Sequence, residues 1–194
     1  MTTTSKATAV RRLALAAALL FTSVATALAA GVGPAQAAAV HYPWQDPGSA
    51  RPFTEAAVTQ VGLSYCWGGG NAHGPTYGLS SSGCNASTGP GYDCSGLVHY
   101  ASNRAGLGWP DQTAHGYSGR GTTVTTGPRP GDLLFWDWNG DRTYDHVAIF
   151  LGENRDNRVV EFVEANGAQG LNASTGHRVK ISAYRGAHLI KRIY

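Results

Sequence analysis

The chain has 194 residues and a formal net charge of +3. All 12 Asp and Glu lie at Asp46 or later, while Lys6, Arg11 and Arg12 stand in the first dozen positions; without those three, 12 basic residues face 12 acidic ones. That neutral balance, with no basic stripe, excludes the electrostatic footprint of a nucleic-acid binder.

In chain order, residues 1–37 read as a secretory signal peptide: a charged start, an apolar run from Leu13 to about Ala30, and small residues ending at Ala35-Gln36-Ala37. The run is long enough to serve as a retained anchor, which is the alternative. Its Ala-rich composition and the sites Ala27-Leu28-Ala29 and Ala35-Gln36-Ala37 favour cleavage. Arg11-Arg12 is a partial twin-arginine signal, so the export route stays open. Cleavage after Ala37 leaves 157 residues, enough for one domain with its own core and no stable membrane association.

Residues 38–52 carry three Pro and read as an extended arm, ahead of a domain over 53–194. From Phe53 to Val61 the pattern is helical, with Thr54 as cap, Ala57, Val58 and Val61 on one face, and Gly62 as the stop. Residues 68–92 are rich in Gly, Ser, Thr and Asn and form a long loop, a length usually tied to function or stapling. Asp93 then stands at an N-cap before a helix from Cys94 to about Ala105, ended by Gly106. A second polar loop runs to Gly127. Strand periodicity follows at 132–138, 145–151, 159–165, 177–183 and 187–193. Helices first and strands after imply an α+β domain, with the helices packed on an antiparallel sheet of about five to six strands.

Three Cys in an exported chain imply one bridge and one free thiol. Cys66 and Cys84 bracket the Gly-rich loop and are the favoured pair, with the other pairings still open. Closing about 19 residues contributes about 3 kcal/mol. Cys94 is then left at a helix start, where the helix end and a nearby imidazolium lower a thiol's pKa and backbone N–H groups can stabilise an oxyanion. The alternative is an inert buried Cys. Gly96 removes a side chain where the helix approaches the sheet. His146 opens the strand segment Asp145-His146-Val147-Ala148-Ile149-Phe150 about 50 residues later, the Cys-then-His order of papain-like hydrolases.

Four segments together resemble the successive motifs of the NlpC/P60 cysteine peptidases. They are Tyr65-Cys66-Trp67-Gly68-Gly69, Asp93-Cys94-Ser95-Gly96-Leu97-Val98, Arg129-Pro130-Gly131-Asp132-Leu133-Leu134-Phe135 and Asp145-His146-Val147-Ala148-Ile149-Phe150-Leu151-Gly152. The resemblance spans about residues 53 to 192. It implies a papain-like fold and hydrolysis of peptidoglycan stem peptides between D-γ-glutamate and the diamino acid. A monomer without cofactor or resident metal is expected. Acyl transfer or amide hydrolysis with the same thiol, or a non-catalytic wall-binding module, are the rival readings.

By motif, Cys94 is the nucleophile, His146 the general base and Tyr65 the tyrosine near the oxyanion. Asp93 and Ser95 flank the nucleophile, where relatives contact the substrate's free amino end; Asp93 is equally read as the helix cap alone. The third member of the set is Glu164, with Asn166 in reserve, and Glu161 is read as solvent-facing. Cys at position 66 and the long insertion from Gly70 to Tyr92 depart from the family pattern and suggest a braced loop walling the cleft.

Asp137-Trp138-Asn139-Gly140-Asp141 resembles the start of a calcium loop, but Arg142 replaces the sixth-position Gly, and a polar turn fits better. His99, His115, His177 and His188 lack metal-ligand spacing, and His99 is read as a surface or packing residue. Trp67, Trp136 and Trp138 are read as core, with cleft lining as the alternative. Asn85-Ala86-Ser87 and Asn172-Ala173-Ser174 fit a glycosylation pattern.

Overall fold

A computed structural model of the chain describes residues 41–79, 84–167 and 177–194. The signal peptide, residues 38–40 of the arm and the Asn172 glycosylation pattern lie outside the described residues.

The first helix, α1, spans Arg51–Val58. It starts two residues earlier than the pattern suggests because Pro52 sits in its first turn, where a missing N–H costs nothing. Thr54 is consequently inside the helix, buried, and its Oγ1 donates back to the carbonyl of Arg51 at 3.1 Å. Val61 falls beyond the helix and is exposed, which corrects its assignment to the apolar face. The segment ahead of α1 is anchored by Trp44, which is buried and donates from Nε1 to Glu161 Oε2 at 2.7 Å.

Helix α2 spans Cys94–Arg104. Its N-cap is Asp93, whose side chain accepts from the Gly96 N–H at 2.7 Å, and Gly106 beyond its end takes a positive φ of 77°. Leu97, Val98 and Ala101 are fully buried against the sheet. A short α3, Ala114–Tyr117, lies in the loop expected to be irregular; Thr113 caps it and Tyr117 is fully buried.

The strands are β1 (Ser64–Tyr65), β2 (Gly91–Tyr92), β3 (Thr122–Thr123), β4 (Leu133–Trp136), β5 (His146–Glu153), β6 (Val160–Asn166), β7 (Arg178–Ala183) and β8 (Leu189–Arg192). They form one sheet in the order β2-β1-β7-β6-β5-β4-β8-β3. The five longer strands lie at the five expected places. Eight strands among the described residues rather than five or six, and a parallel β1–β2 pair, correct the expectation of a smaller, purely antiparallel sheet. The additional strands are two residues long, too short to carry a period-2 signature.

Both faces of the central strands are covered. Leu133, Phe135, Val147, Ile149, Val163 and Ala165 meet α1 and α2 in the main core. Leu134, Trp136, Ala148, Phe150 and Phe162 form a second cluster, packed by Tyr184, Ala187 and Ile190. Burial on two sides explains the unbroken apolar runs, and each fully buried large aliphatic side chain contributes about 1.5–3 kcal/mol.

Candidate active site

Cys94 occupies the first position of α2, and His146 the first position of β5. The backbone N–H of Val147 points to the Cys94 sulfur, as do those of Ser95 and Cys94 itself, so the sulfur sits at the His146–Val147 peptide. These donors favour a thiolate. Burial, followed by the neighbouring Asp93 carboxylate, outweighs them and pushes the thiol up to about 12. The helix start alone does not activate this half-buried cysteine, contrary to the simple expectation.

Behind His146 stands Glu164, 1% exposed, with its Oε2 at 2.7 Å from the ring Nε2. Burial alone would raise the Glu164 carboxyl, but hydrogen bonds from His146, Arg185 and Ser182 hold it well below the usual carboxylate range. An ionised carboxylate only accepts, so Nε2–H donates, and in the neutral ring Nδ1 is left as the acceptor nitrogen. Asn166, the reserve candidate, donates to Glu164 Oε2 at 3.0 Å. The imidazole meets two indoles: Trp138 stacks on it at 5.4 Å with an 18° tilt, and Trp136 packs at 5.5 Å.

Tyr65 is buried on β1, and its phenol is raised by burial and then by the nearby charges of Cys94 and Asp93. Asp93 is fully engaged as a cap. Its Oδ1 accepts from Gly96 N and from Ser95 Oγ (3.0 Å), and its Oδ2 accepts from Gly68 N at 2.9 Å. Burial raises its carboxyl, with those three bonds opposing. Asp93 and Ser95 nevertheless line an open cleft of about 300 Å³, together with Gly68, Asp111, Gln112 and Thr113. Gly96 meets the carbonyl of Gly69 in the Gly-rich loop; this loop, rather than the sheet, is what its missing side chain accommodates.

Cys66 and Cys84 are joined, with Cα atoms 5.1 Å apart, at the base of that loop. Cys94 is the free thiol.

Several readings change. Glu161 is buried, accepting from Trp44, Asn154 and Asn157, because the arm folds over it. His99 is buried on α2, with Nδ1 3.6 Å from Asp111 Oδ1, which fits its packing reading rather than the surface one. Trp67 and Trp138 are exposed, and only Trp136 is core. In the turn after β4, Asp137 accepts from the N–H groups of Gly140 and Arg142, and Asp141 from that of Thr143, so these carboxylates fold the turn itself. Ser182, Arg185 and the stacking of Trp138 were missed. No local pattern marks the first two, because they reach Glu164 only across β6 and β7.

A thiol thus opens a helix, an imidazole opens a strand, and a buried carboxylate stands behind the imidazole. The chain belongs to the NlpC/P60 family, whose profile matches residues 62–194.

Among its relatives, peptidoglycan endopeptidase RipA of Mycobacterium tuberculosis is 36% identical over 50% of this chain and 19% of its own length. Peptidoglycan endopeptidase RipB of M. tuberculosis is 34% identical over 59% of this chain and 42% of its own. The chain therefore spans less than half the length of these curated relatives. The solved structure of RipB superposes with a TM-score of 0.58 at 31% identity, covering 75% of this chain and 65% of that one. M. tuberculosis RipD, described as a non-catalytic NlpC/p60 domain protein adapted to peptidoglycan binding, superposes at 0.57 and 26% identity, covering 78% and 100%. Structures of RipA mutated at a cysteine, at a histidine and at a glutamate also match.

Proposed function

We propose that this chain is a secreted cysteine endopeptidase that hydrolyses peptidoglycan stem peptides between D-γ-glutamate and the diamino acid. The observation that carries the proposal is the buried His146–Glu164 hydrogen bond of 2.7 Å, with the backbone N–H of Val147, the residue after His146, directed at the Cys94 sulfur. The endopeptidase names of RipA and RipB support the substrate class. Residues 1–37 export the chain and are removed. No helix among the described residues is long and apolar enough to cross a membrane. The mature protein acts as a monomer at the cell wall, without cofactor or resident metal.

In the proposed reaction the thiol proton passes to Nδ1 of His146 as sulfur bonds to the scissile carbonyl carbon. Because the resting thiol is held neutral, this transfer is coupled to substrate entry rather than completed beforehand. The oxyanion accepts from the Cys94 N–H and the Tyr65 hydroxyl. The imidazolium then protonates the departing amine as the C–N bond breaks, leaving a thioester. Water, losing its proton to His146, attacks the thioester and releases the acid and the thiol. Glu164 acts by holding the ring in the required tautomer.

A second reading, a non-catalytic wall-binding module, is favoured by the raised Cys94 thiol and by the example of RipD. Digesting purified muropeptides separates the two. The endopeptidase reading predicts cleavage by the wild type and none by Cys94→Ala with its fold intact; equal cleavage by both proteins overturns the mechanism.

A further inference from the structure

Glu164 is saturated. Its Oε2 accepts from His146, from Asn166 and from Arg185 Nη2 at 3.1 Å; its Oε1 accepts from Ser182 Oγ at 2.6 Å and from Arg185 Nη1 at 3.4 Å. A buried carboxylate without a cation beside it would take up a proton. Arg185, in the segment after β7, supplies that cation while its own side chain remains 42% exposed. Its guanidinium also lies 4.8 Å from the ring centres of both Trp136 and Phe162. Such stacking holds a planar cation in one orientation. Trp136 in turn packs on the His146 ring. Arg185 thus contacts two neighbours of the imidazole, Glu164 and Trp136, from the sheet face opposite the helices.

We propose that Arg185 is a positioning residue for the hydrolysis. It fixes Glu164 as an ionised acceptor, which keeps the proton on Nε2 of His146 and leaves Nδ1 to serve as base. The inference rests on the reading of Glu164 as the group that orients His146. Its chemistry follows from competition. With Arg185 present, the negative charge of Glu164 is shared between two cationic partners whenever His146 is protonated. Without Arg185 that charge acts on the imidazolium alone, which then persists to higher pH. The other titratable groups on the elements around the pair are the Cys94 thiol on α2, the Tyr65 phenol on β1, Asp145 next to His146 in the chain, and Lys180, directly opposite Glu164 across the β6–β7 ladder. None of these is altered in the test.

The test compares wild type, Arg185→Ala and Arg185→Lys by two pH profiles: kcat/KM on disaccharide-peptides, and the rate of iodoacetamide alkylation of Cys94 in the free protein. Arg185→Ala is expected to raise the acidic limb of both profiles by about 1 pH unit. Its kcat falls between about tenfold and a hundredfold with little change in KM. Arg185→Lys keeps the charge and loses the two-pronged contact, so it restores the limb while kcat stays reduced. An unmoved limb in a folded Arg185→Ala protein overturns the proposal. If Arg185→Ala does not fold, Arg185→Lys decides: a wild-type limb with reduced kcat supports the proposal, and full kcat overturns it. A limb that moves in alkylation while no variant cleaves muropeptides leaves the positioning role standing and sinks the substrate reading.

Discussion

Gly96→Ala places a single methyl group where two effects of known size oppose each other. Alanine in a helix is favoured over glycine by about 1 kcal/mol. The new Cβ, however, would meet the carbonyl oxygen of Gly69 well inside contact distance, with the carbonyl carbon at 3.0 Å and Asp93 Oδ1 at 3.2 Å. Gly69 cannot easily retreat, because its carbonyl accepts from Asp93 N at 3.0 Å and its N–H donates to Cys66 O at 2.7 Å, next to the disulfide. Overpacking against backbone costs about 1–3 kcal/mol. Lifting the helix start also stretches the Asp93 cap, worth about 1 kcal/mol. The losses win, and a net destabilisation of about 1–3 kcal/mol follows from these terms. Thermal unfolding should register it as a fall of about 2–4 °C per kcal/mol. Activity on muropeptides should fall further than stability does, since Cys94 lies two residues upstream of the displaced atom. A melting temperature at or above wild type would show that helix propensity dominates, and would refute a clamp of the loop on the start of α2.

The Glu164 carboxyl is held low in the folded protein, so its contribution to stability is present above its ordinary value of 4.5 and is lost as pH falls below it. Glu164→Gln should therefore be less stable at neutral pH and lose less on acidification; parallel acid denaturation curves for the two proteins would contradict this. Asp93, raised by burial, works in the opposite sense, so the comparison must be between variants rather than with an absolute slope. The Cys66–Cys84 bridge joins residues 18 apart, and opening it should cost about 3 kcal/mol. Dithiothreitol should lower the melting temperature of the wild type and leave that of a Cys66→Ala, Cys84→Ala double variant unchanged. A wild type indifferent to reductant would mean that the loop is held by other contacts.

Much of this architecture was legible in the sequence because its signals are local. Asp93 before an apolar helical run announces a cap, and the apolar strand segments announce β4 to β8. Where recognition depends on distant chain, the reading failed. Glu161 alternates with apolar neighbours and reads as a surface charge, yet Trp44, 117 residues earlier, covers it, while Val160 beside it is exposed. The strands β1, β2 and β3 exist only through their pairing partners. Within the site, Cys94 opens α2, His146 opens β5, and Glu164 on β6 lies 2.7 Å from the His146 ring. Arg185 and Ser182 contact Glu164 through the pairing of β6 with β7 and the segment that follows, a register that no single segment encodes. Thr113 three residues before Gly116 is the sole local hint of α3, and it is too short to distinguish from a turn.

The central claim is that Cys94 carries an acyl group during turnover. Rapid acid quenching of the protein with muropeptide substrate, followed by intact-mass and peptide-mapping mass spectrometry, measures this directly. The account predicts an adduct with the mass of the acyl fragment on the peptide containing Cys94, absent from Cys94→Ala and accumulating when deacylation is slowed. Product formation with Cys94 unmodified at every quench time, at a rate unchanged in Cys94→Ala, would contradict it.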